Sequence, residues 1–163
     1  MLISMTSTPP APINDTRDRI LDAAERLFVE NGFDGTSMRM ITGAANANLA
    51  AINYHFGGKD ALVQEVFRRR LAALNARRLD ELDRLEAEAA GAPLKPSRIV
   101  EAVFGTALEL AADTEHGGRT FMRLLARTYN APNAFVRQFL AEEYAEVMDR
   151  FLGALFVSLP EVP

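Results

Sequence analysis

The side chains best suited to chemistry lie close together in the sequence, between residues 36 and 59. Asn53 carries an amide that can both donate and accept a hydrogen bond, which is the pattern that pairs with the edge of adenine. Ala50 or Ala51 can touch the methyl group of thymine. These residues therefore favour recognition of a base rather than the breaking of a bond.

The residues that catalysis requires are sparse. His55 and His116 are far apart in the chain, and the sequence has no Cys, no glycine-rich phosphate loop and no serine nucleophile motif. Ligands for a metal ion are equally few. We therefore expect no enzyme, no metal site and no cofactor.

Two short helices must position the polar residues. The first follows Thr36 and Ser37, both of which are possible caps, and the second runs from about Leu49 to Tyr54. Between them, Asn46 can adopt the left-handed conformation that a tight turn needs, and Asn48 can cap the second helix. This is helix-turn-helix geometry, which places the second helix in the major groove of DNA.

Helical spacing of apolar residues continues through the chain, and no run alternates as a strand would, so the predicted fold is all-α. The first helix is predicted over 15–31, capped by Asn14 or Asp15 and stopped by Asn31 and Gly32. A long helix is predicted from Gly58 towards Ala90. Three more are predicted: one that begins after a cap at Ser97, one over 119–129 and one over 133–157. The charged stretch from Arg77 to Glu88 is expected to be a solvated helical face. The predicted divisions are a loose arm over 1–13, the helix-turn-helix domain over 14–58, a connecting helix over 59–90 and a helical domain over 91–163.

Composition sets further limits. The chain has 163 residues, 48% of them hydrophobic, and a formal net charge of −4, which excludes disorder over its whole length. Residues 14–78 contain ten basic and eight acidic side chains, and residues 79–163 contain eight and fourteen, so the negative charge belongs to the second half. The longest apolar stretch, Phe151 to Leu159, is too short to cross a membrane. A cytoplasmic protein without a membrane partner is expected.

The residues around the turn resemble a known signature. The run from Thr36 to Ile41, followed by the run from Ala44 to Lys59, is similar to the DNA-binding signature of the TetR family of bacterial transcriptional regulators. Ile20 to Phe28 resembles the family's first helix, and Asn31 to Phe33 resembles its exit. Within the family, residues 48–56 most resemble regulators of fatty-acid metabolism of the PsrA type.

The resemblance implies roles for single residues. Thr36 would hold a phosphate at the start of its helix, and Tyr54, His55 and Lys59 would contact the sugar-phosphate backbone. Each role has a structural alternative: a plain N-cap for Thr36, packing for Tyr54, a helix cap for His55 and a solvated cation for Lys59. The rest of the expected DNA-facing set is Ser37, Arg39, Asn48, Leu49, Ala50, Ala51 and Asn53.

The resemblance also implies a regulatory half. Residues 91–163 would dimerise and bind a small effector of acyl or fatty-acid type, and the effector would release a repressor from a palindromic operator of double-stranded DNA. Six residues could line an apolar pocket, although their helical spacing fits a core equally: Phe104, Leu108, Phe121, Met122, Leu125 and Phe139. Phe135 and Tyr144 share this ambiguity.

Three further expectations follow. Arg119, Arg123 and Arg127 share a helical face, which could meet an anionic head group or could be a solvated stripe. Members of the family usually continue with two more helices that build a dimer interface, so the chain is expected to lack them. The alternative function is a helical ligand-binding or protein-interaction module that does not bind DNA.

Overall fold

Helices account for the whole regular structure of the described chain. The computed structural model describes residues 13–130 and 133–159, where it has seven helices and no strand, which confirms the predicted all-α fold. The helices are α1 (Ile13–Gly35), α2 (Met38–Ala45), α3 (Leu49–Phe56), α4 (Lys59–Ala89), α5 (Pro96–Ala112), α6 (Gly118–Asn130) and α7 (Ala134–Ser158). Residues 1–12 of the predicted arm, Pro132 and residues 160–163 lie outside the described residues. None of the described helices combines the length and apolar character that a membrane crossing requires.

The first helix is longer than predicted, and it is kinked. It begins at Ile13, so Asn14 and Asp15 lie within its first turn instead of capping it. Gly32 has φ 76° and ψ 174°, a backbone conformation that is essentially confined to glycine. The helix therefore bends at Gly32, where the sequence predicted that it ends, and continues to Gly35.

The fifth helix also begins differently from the prediction. Pro96 is its first residue and Lys95 is its N-cap, without a side-chain hydrogen bond, so the predicted cap Ser97 lies inside the helix. Proline suits this position because its φ is already helical and its missing N–H would have no partner there. At the start of α7 the Asn133 side chain accepts a hydrogen bond from the Val136 N–H at 3.0 Å.

Two apolar clusters stabilise the fold. The first contains residues from α1, α2, α3, α4 and α6 and from the first turns of α7. Its fully buried members include Phe28, Phe67 and Phe121. The second joins the last turns of α4 to α5 and α7 around Leu82, Ile99 and Phe151. Because residues after 91 complete the first cluster, the helix-turn-helix shares its core with α6 and α7.

The charged stretch of α4 is mainly a solvated face, as expected. Arg84 pairs with Glu81 and Glu88 along the exposed side of the helix. Among the charged residues of this stretch Arg78 is the exception, because it is buried while its neighbour Arg77 is exposed. The long connecting helix therefore carries a cation into the interior.

Candidate DNA-binding surface

Two asparagines set the geometry of the turn between α2 and α3. Asn46 is left-handed, with φ 48° and ψ 49°, and the N–H of Ala47 donates to the carbonyl of Thr42 at 3.0 Å. Asn48 is extended, and its side-chain oxygen accepts from the N–H of Ala51 at 2.8 Å. Both turn roles predicted from the sequence are confirmed, so the direction of α3 relative to α2 is fixed by local hydrogen bonds.

The start of α2 separates the two predicted caps. Ser37 is the N-cap, because its hydroxyl accepts from the N–H of Met40 at 3.2 Å. Thr36 points inward, with only 1% of its surface exposed, and its hydroxyl donates to the carbonyls of Gly32 at 2.7 Å and Leu27 at 3.1 Å. The predicted phosphate contact by the Thr36 hydroxyl is therefore corrected: that group holds the kinked end of α1 to α2.

The outer face of α3 carries the residues predicted to read bases. Leu49, Ala50, Asn53 and Tyr54 are exposed, whereas Ile52 and Phe56 are buried on the opposite face. Of the two alanines considered for contact with thymine, Ala50 lies on the exposed face and Ala51 packs against the core. The exposed set is a single face of one helix, as major-groove recognition requires.

Aromatic contacts organise the end of α3. Tyr54 is 82% exposed. Its ring meets the His55 ring edge-on, with 5.2 Å between the ring centroids. The half-buried His55 ring also lies 6.0 Å from Phe56. Tyr54 is therefore held by a neighbour while its hydroxyl remains accessible to a backbone phosphate.

Two cations border this face. Arg39 on α2 is exposed, and among the described residues it has no acidic partner. Lys59, the first residue of α4, places its Nζ 4.3 Å from the centroid of the Phe33 ring. Both positive charges are therefore available to an anion, and that of Lys59 is oriented by an aromatic ring.

Ion pairs attach the helix-turn-helix to α4. Arg69 donates to Glu25 at 2.6 Å and to Asp22 at 2.7 Å, and Glu25 is almost fully buried. Burial lowers the pKa of Arg69, but its hydrogen bonds to Glu25 and Asp22 outweigh burial and raise that pKa above its ordinary value. Arg17 similarly pairs with Glu65 at 2.6 Å. These contacts fix α1 on the connecting helix.

The predicted ligand-lining residues do not lie together. Phe121, Leu125 and Phe139 are buried in the first apolar cluster, and Met122 packs against it, so these four are core residues. Leu108 is 70% exposed and lines no part of the apolar cavity. Helical spacing could not separate these outcomes, because core and pocket residues share the same periodicity.

An apolar cavity of about 580 Å³ does lie between α4, α5, α6 and α7. This volume is in the range of small-molecule sites, about 300–1,000 Å³. Phe104 and Tyr144 are the predicted residues that line it, and burial raises the pKa of the Tyr144 hydroxyl, which keeps it neutral. Most of the remaining wall is aliphatic or aromatic and comes from α5 and α7.

The most important of the lining residues that the sequence reasoning missed is a cation, Arg78. A signal for it exists: Leu71, Leu74, Leu82 and Leu85 are buried at spacings of three or four, and Arg78 occupies the same stripe. By contrast, Arg119, Arg123 and Arg127 are exposed and do not line this cavity. Of those three, Arg127 donates to the carbonyl of Val29 at 3.2 Å, so it joins α6 to the end of α1.

Comparisons with known families agree with this architecture. The family model described as "Bacterial regulatory proteins, tetR family" matches residues 20–66, which span α1 to α4. The model described as "Tetracyclin repressor-like, C-terminal domain" matches residues 101–163. The two matches therefore cover both the helix-turn-helix and the later helices.

Relatives of known name are regulators. The HTH-type transcriptional regulator UidR of Escherichia coli K12 is 41% identical over 51 residues, 31% of this chain and 26% of UidR. The HTH-type transcriptional repressor KstR2 of Rhodococcus jostii is 29% identical over 154 residues, 91% of this chain and 70% of KstR2. The matched part thus spans about a quarter of UidR but most of KstR2.

Solved structures share the fold. A protein from Pseudomonas aeruginosa PAO1 superposes with a TM-score of 0.64 at 20% identity, covering 93% of this chain and 69% of that protein. SCO7518 from Streptomyces coelicolor A3(2) superposes with a TM-score of 0.55 at 27% identity, covering 87% and 74%. The family and the named relatives are transcriptional regulators and not enzymes. With its helix-turn-helix, its later helices and these matches, the chain belongs to the TetR family of bacterial transcriptional regulators.

Proposed function

We propose that this protein is a transcriptional repressor that inserts α3 into the major groove of a palindromic operator. The observation that carries the proposal is the exposed face of α3, with Asn53 at its centre and caps at both ends of the helix. Backbone conformation at Asn48 and Gly57 fixes those ends, so the side chains are positioned before DNA arrives. Such preorganisation reduces the entropy that binding must overcome.

Each residue of the surface has a distinct role in this proposal. Asn53 pairs with adenine and Ala50 contacts a thymine methyl group, while Leu49 excludes water from the groove. The phosphate contacts come from Tyr54 and Lys59. Ser37, Arg39, Asn48 and His55 border the same surface, whereas Ala51 and the buried Thr36 support it from behind.

A second copy of the chain completes the proposed repressor. Large apolar side chains are exposed on α5 and α7. Leu108 and Phe156 lie outside the apolar cavity, whereas Val100, Phe104, Met148 and Leu152 also line it, so a second copy on this surface would cover the cavity as well. Exposed apolar surface of this extent is typical of an interaction site. A dimer places two copies of α3 about 34–36 Å apart, or a multiple of that, to meet the half-sites of a palindrome.

The apolar cavity is the proposed effector site. Its aliphatic wall suits an acyl chain, in agreement with the fatty-acid type of effector expected from residues 48–56. Coupling to DNA has a physical route, because Phe135 on α7 lies 6.2 Å from Phe33 at the end of α1. An effector that favours one position of α7 thereby shifts the population of DNA-binding conformations.

Selection from a random duplex library tests the DNA-binding proposal. The full chain is expected to enrich a palindromic site, which fluorescence anisotropy then measures against a scrambled duplex at increasing salt. The Ala50→Glu variant places a carboxylate on the exposed face of α3 and is expected to abolish enrichment. The matched control is Ala72→Glu, the same change at an exposed alanine of α4.

Three results would contradict the proposal. Equal affinity for the selected and scrambled duplexes at physiological salt would exclude sequence-specific recognition. Equal loss of binding in Ala50→Glu and Ala72→Glu would exclude α3 as the contacting face. Retained enrichment in both variants would do the same.

A further inference from the structure

A buried guanidinium lies at the wall of the apolar cavity. Arg78 is 8% exposed, its Nε donates to the carbonyl of Val103 at 3.2 Å, and one of its terminal nitrogens donates to the side-chain oxygen of Asn75 at 3.4 Å. Its guanidinium carbon lies 5.7 Å from the centroid of the Tyr144 ring. All three partners are uncharged.

In the described part of the chain, no carboxylate pairs with Arg78, and the cavity wall contains neither Asp nor Glu. Nearby arginines differ in this respect. Arg77 pairs with Glu109 at 2.8 Å, and Arg150 pairs with Asp83 at 2.5 Å. The acidic residues of this region therefore pair with exposed arginines and leave the buried one without a counter-ion.

This arrangement is costly unless something else supplies the negative charge. A guanidinium does not lose its proton in a protein, so Arg78 cannot become neutral as a buried lysine can. A buried charge is normally paired or bound by several hydrogen bonds, and the partners of Arg78 supply only dipoles and an aromatic face. An anion in the cavity would complete the site.

We propose that the cavity binds an amphipathic carboxylate, with its carboxylate on Arg78 and its apolar body among Ile99, Val103, Phe151 and Leu155. This inference rests on the proposal that the cavity is the effector site. One buried guanidinium balances one negative charge, which favours a carboxylate over a doubly charged phosphate monoester. Arg78 is the one buried cation in the described wall of the cavity, because the second lining arginine, Arg137, is exposed.

The class of ligand is tested with three probes that share one alkyl chain: decanoate, decanol and decyltrimethylammonium. Isothermal titration calorimetry of the full chain is expected to give decanoate an affinity about ten- to a hundredfold above that of decanol, since a hydrogen bond to a charged group has that value. The cationic probe is expected to bind weakest. Equal affinities for decanoate and decanol, or preference for the cation, would overturn the proposal.

Variants test the residue. Arg78→Gln is expected to reduce the affinity for decanoate to that for decanol, while Arg78→Lys keeps part of the preference because it keeps the charge. Arg77→Gln, which removes the neighbouring exposed charge, is the matched control and is expected to keep the full preference. Circular dichroism checks that each variant is folded. If Arg78→Gln does not fold, the test is the reduced preference for decanoate that is expected of Arg78→Lys. A full preference for decanoate in folded Arg78→Gln would exclude Arg78 as the anchor.

DNA binding is measured separately, so the two proposals can fail independently. If decanoate binds through Arg78 but does not release the selected duplex, the carboxylate site stands and the effector role fails. If no duplex is enriched but the calorimetric preference holds, the ligand class stands and the repressor function fails. If the duplex is bound specifically but decanoate has no advantage over decanol, only the inference about Arg78 falls.

Discussion

Lys59 lies with its Nζ 4.3 Å from the centroid of the Phe33 ring, at the point where the connecting helix leaves the helix-turn-helix. The same ring lies 6.1 Å from Phe28 in the core and 6.2 Å from Phe135 in the first turn of α7. Lys59, the proposed phosphate contact, and Phe135 of α7 therefore both contact the Phe33 ring. This makes Phe33 a positioning residue for Lys59 and a direct contact between α7 and the DNA-binding half.

Replacing Phe33 is expected to weaken DNA binding through Lys59. Phe33→Leu keeps an apolar side chain but removes the aromatic face, and we expect about two- to fivefold lower affinity for the selected duplex, the value of an exposed cation–π contact. Phe33→Tyr keeps the face and is expected to retain the affinity. Anisotropy titrations measure both.

A double-mutant cycle separates this effect from simple loss of packing. In the Lys59→Ala background, Phe33→Leu is expected to have no further effect on DNA affinity, because the cation that the ring orients is already absent. Additive losses would show that Phe33 acts on DNA binding without Lys59.

Asn53→Ala and Lys59→Ala are expected to fail in different ways. Loss of the Asn53 amide removes a base contact, so discrimination at one base pair falls by about 1–3 kcal/mol while other positions keep theirs. Loss of the Lys59 charge weakens all duplexes and reduces the slope of log affinity against log salt by about one. Titrations on single-position operator variants at several salt concentrations distinguish them. The same loss on every sequence in both variants would remove Asn53 from base recognition.

Thr36→Val is expected to lower stability without changing phosphate contacts. The valine cannot donate to the carbonyls of Gly32 and Leu27, and the free energy of unfolding is expected to fall by about 1–2 kcal/mol in urea denaturation. The salt slope of DNA binding stays that of the wild type, because the lost hydroxyl faces the interior. Ser37→Ala, which removes the adjacent cap, serves as a comparison with a loss of about 1 kcal/mol. A reduced salt slope in Thr36→Val would restore the phosphate contact to that residue.

Acid is expected to weaken the loop between α5 and α6 through Asp113. The backbone N–H of His116 and then its ring hold the pKa of the Asp113 carboxyl below its ordinary value of 3.8. Because the folded pKa is the lower one, this carboxylate stabilises the fold above pH 3.8, and the stabilisation is lost as the pH falls through the folded pKa. An NMR titration should find the Asp113 pKa below 3.8, and in His116→Ala nearer to it, since only the backbone hydrogen bond remains. An unshifted Asp113 in the wild type would contradict this account.

Local chemistry was predictable and distant contacts were not. Asn46 and Asn48 could be assigned from the sequence because the turn and cap that they make involve only residues within four positions. The inward direction of Thr36 depends on the kink at Gly32; Asn31 and Gly32 indicated a break in the helix, but not which way the chain after it would turn. Whether a phenylalanine lines the cavity, as Phe104 does, or is buried in the core, as Phe121 is, likewise depends on which helix it faces.

Arg78 shows a different limit. Its place in the stripe of buried leucines was visible in the sequence, but a cation in such a stripe usually extends its head group to water. Only the positions of Val103, Asn75 and Tyr144 show that the guanidinium stays inside. Burial of a charge is a property of the neighbours, and those come from other helices.

Two glycine-to-alanine changes are expected to have opposite effects on stability. At Gly32, φ 76° with ψ 174° excludes an alanine without strain, and its new Cβ would also lie 3.4 Å from the Arg127 guanidinium. The flexible arginine can move, so the backbone dominates, and we expect a loss of about 1–3 kcal/mol. At Gly43, inside α2, a Cβ meets nothing within 4 Å, and alanine is expected to add about 0.5–1 kcal/mol by favouring the helix. Urea denaturation followed by circular dichroism measures both variants. A gain in stability at Gly32 would show that the backbone there does not require glycine, and a loss at Gly43 would show that α2 does not accept the added methyl group.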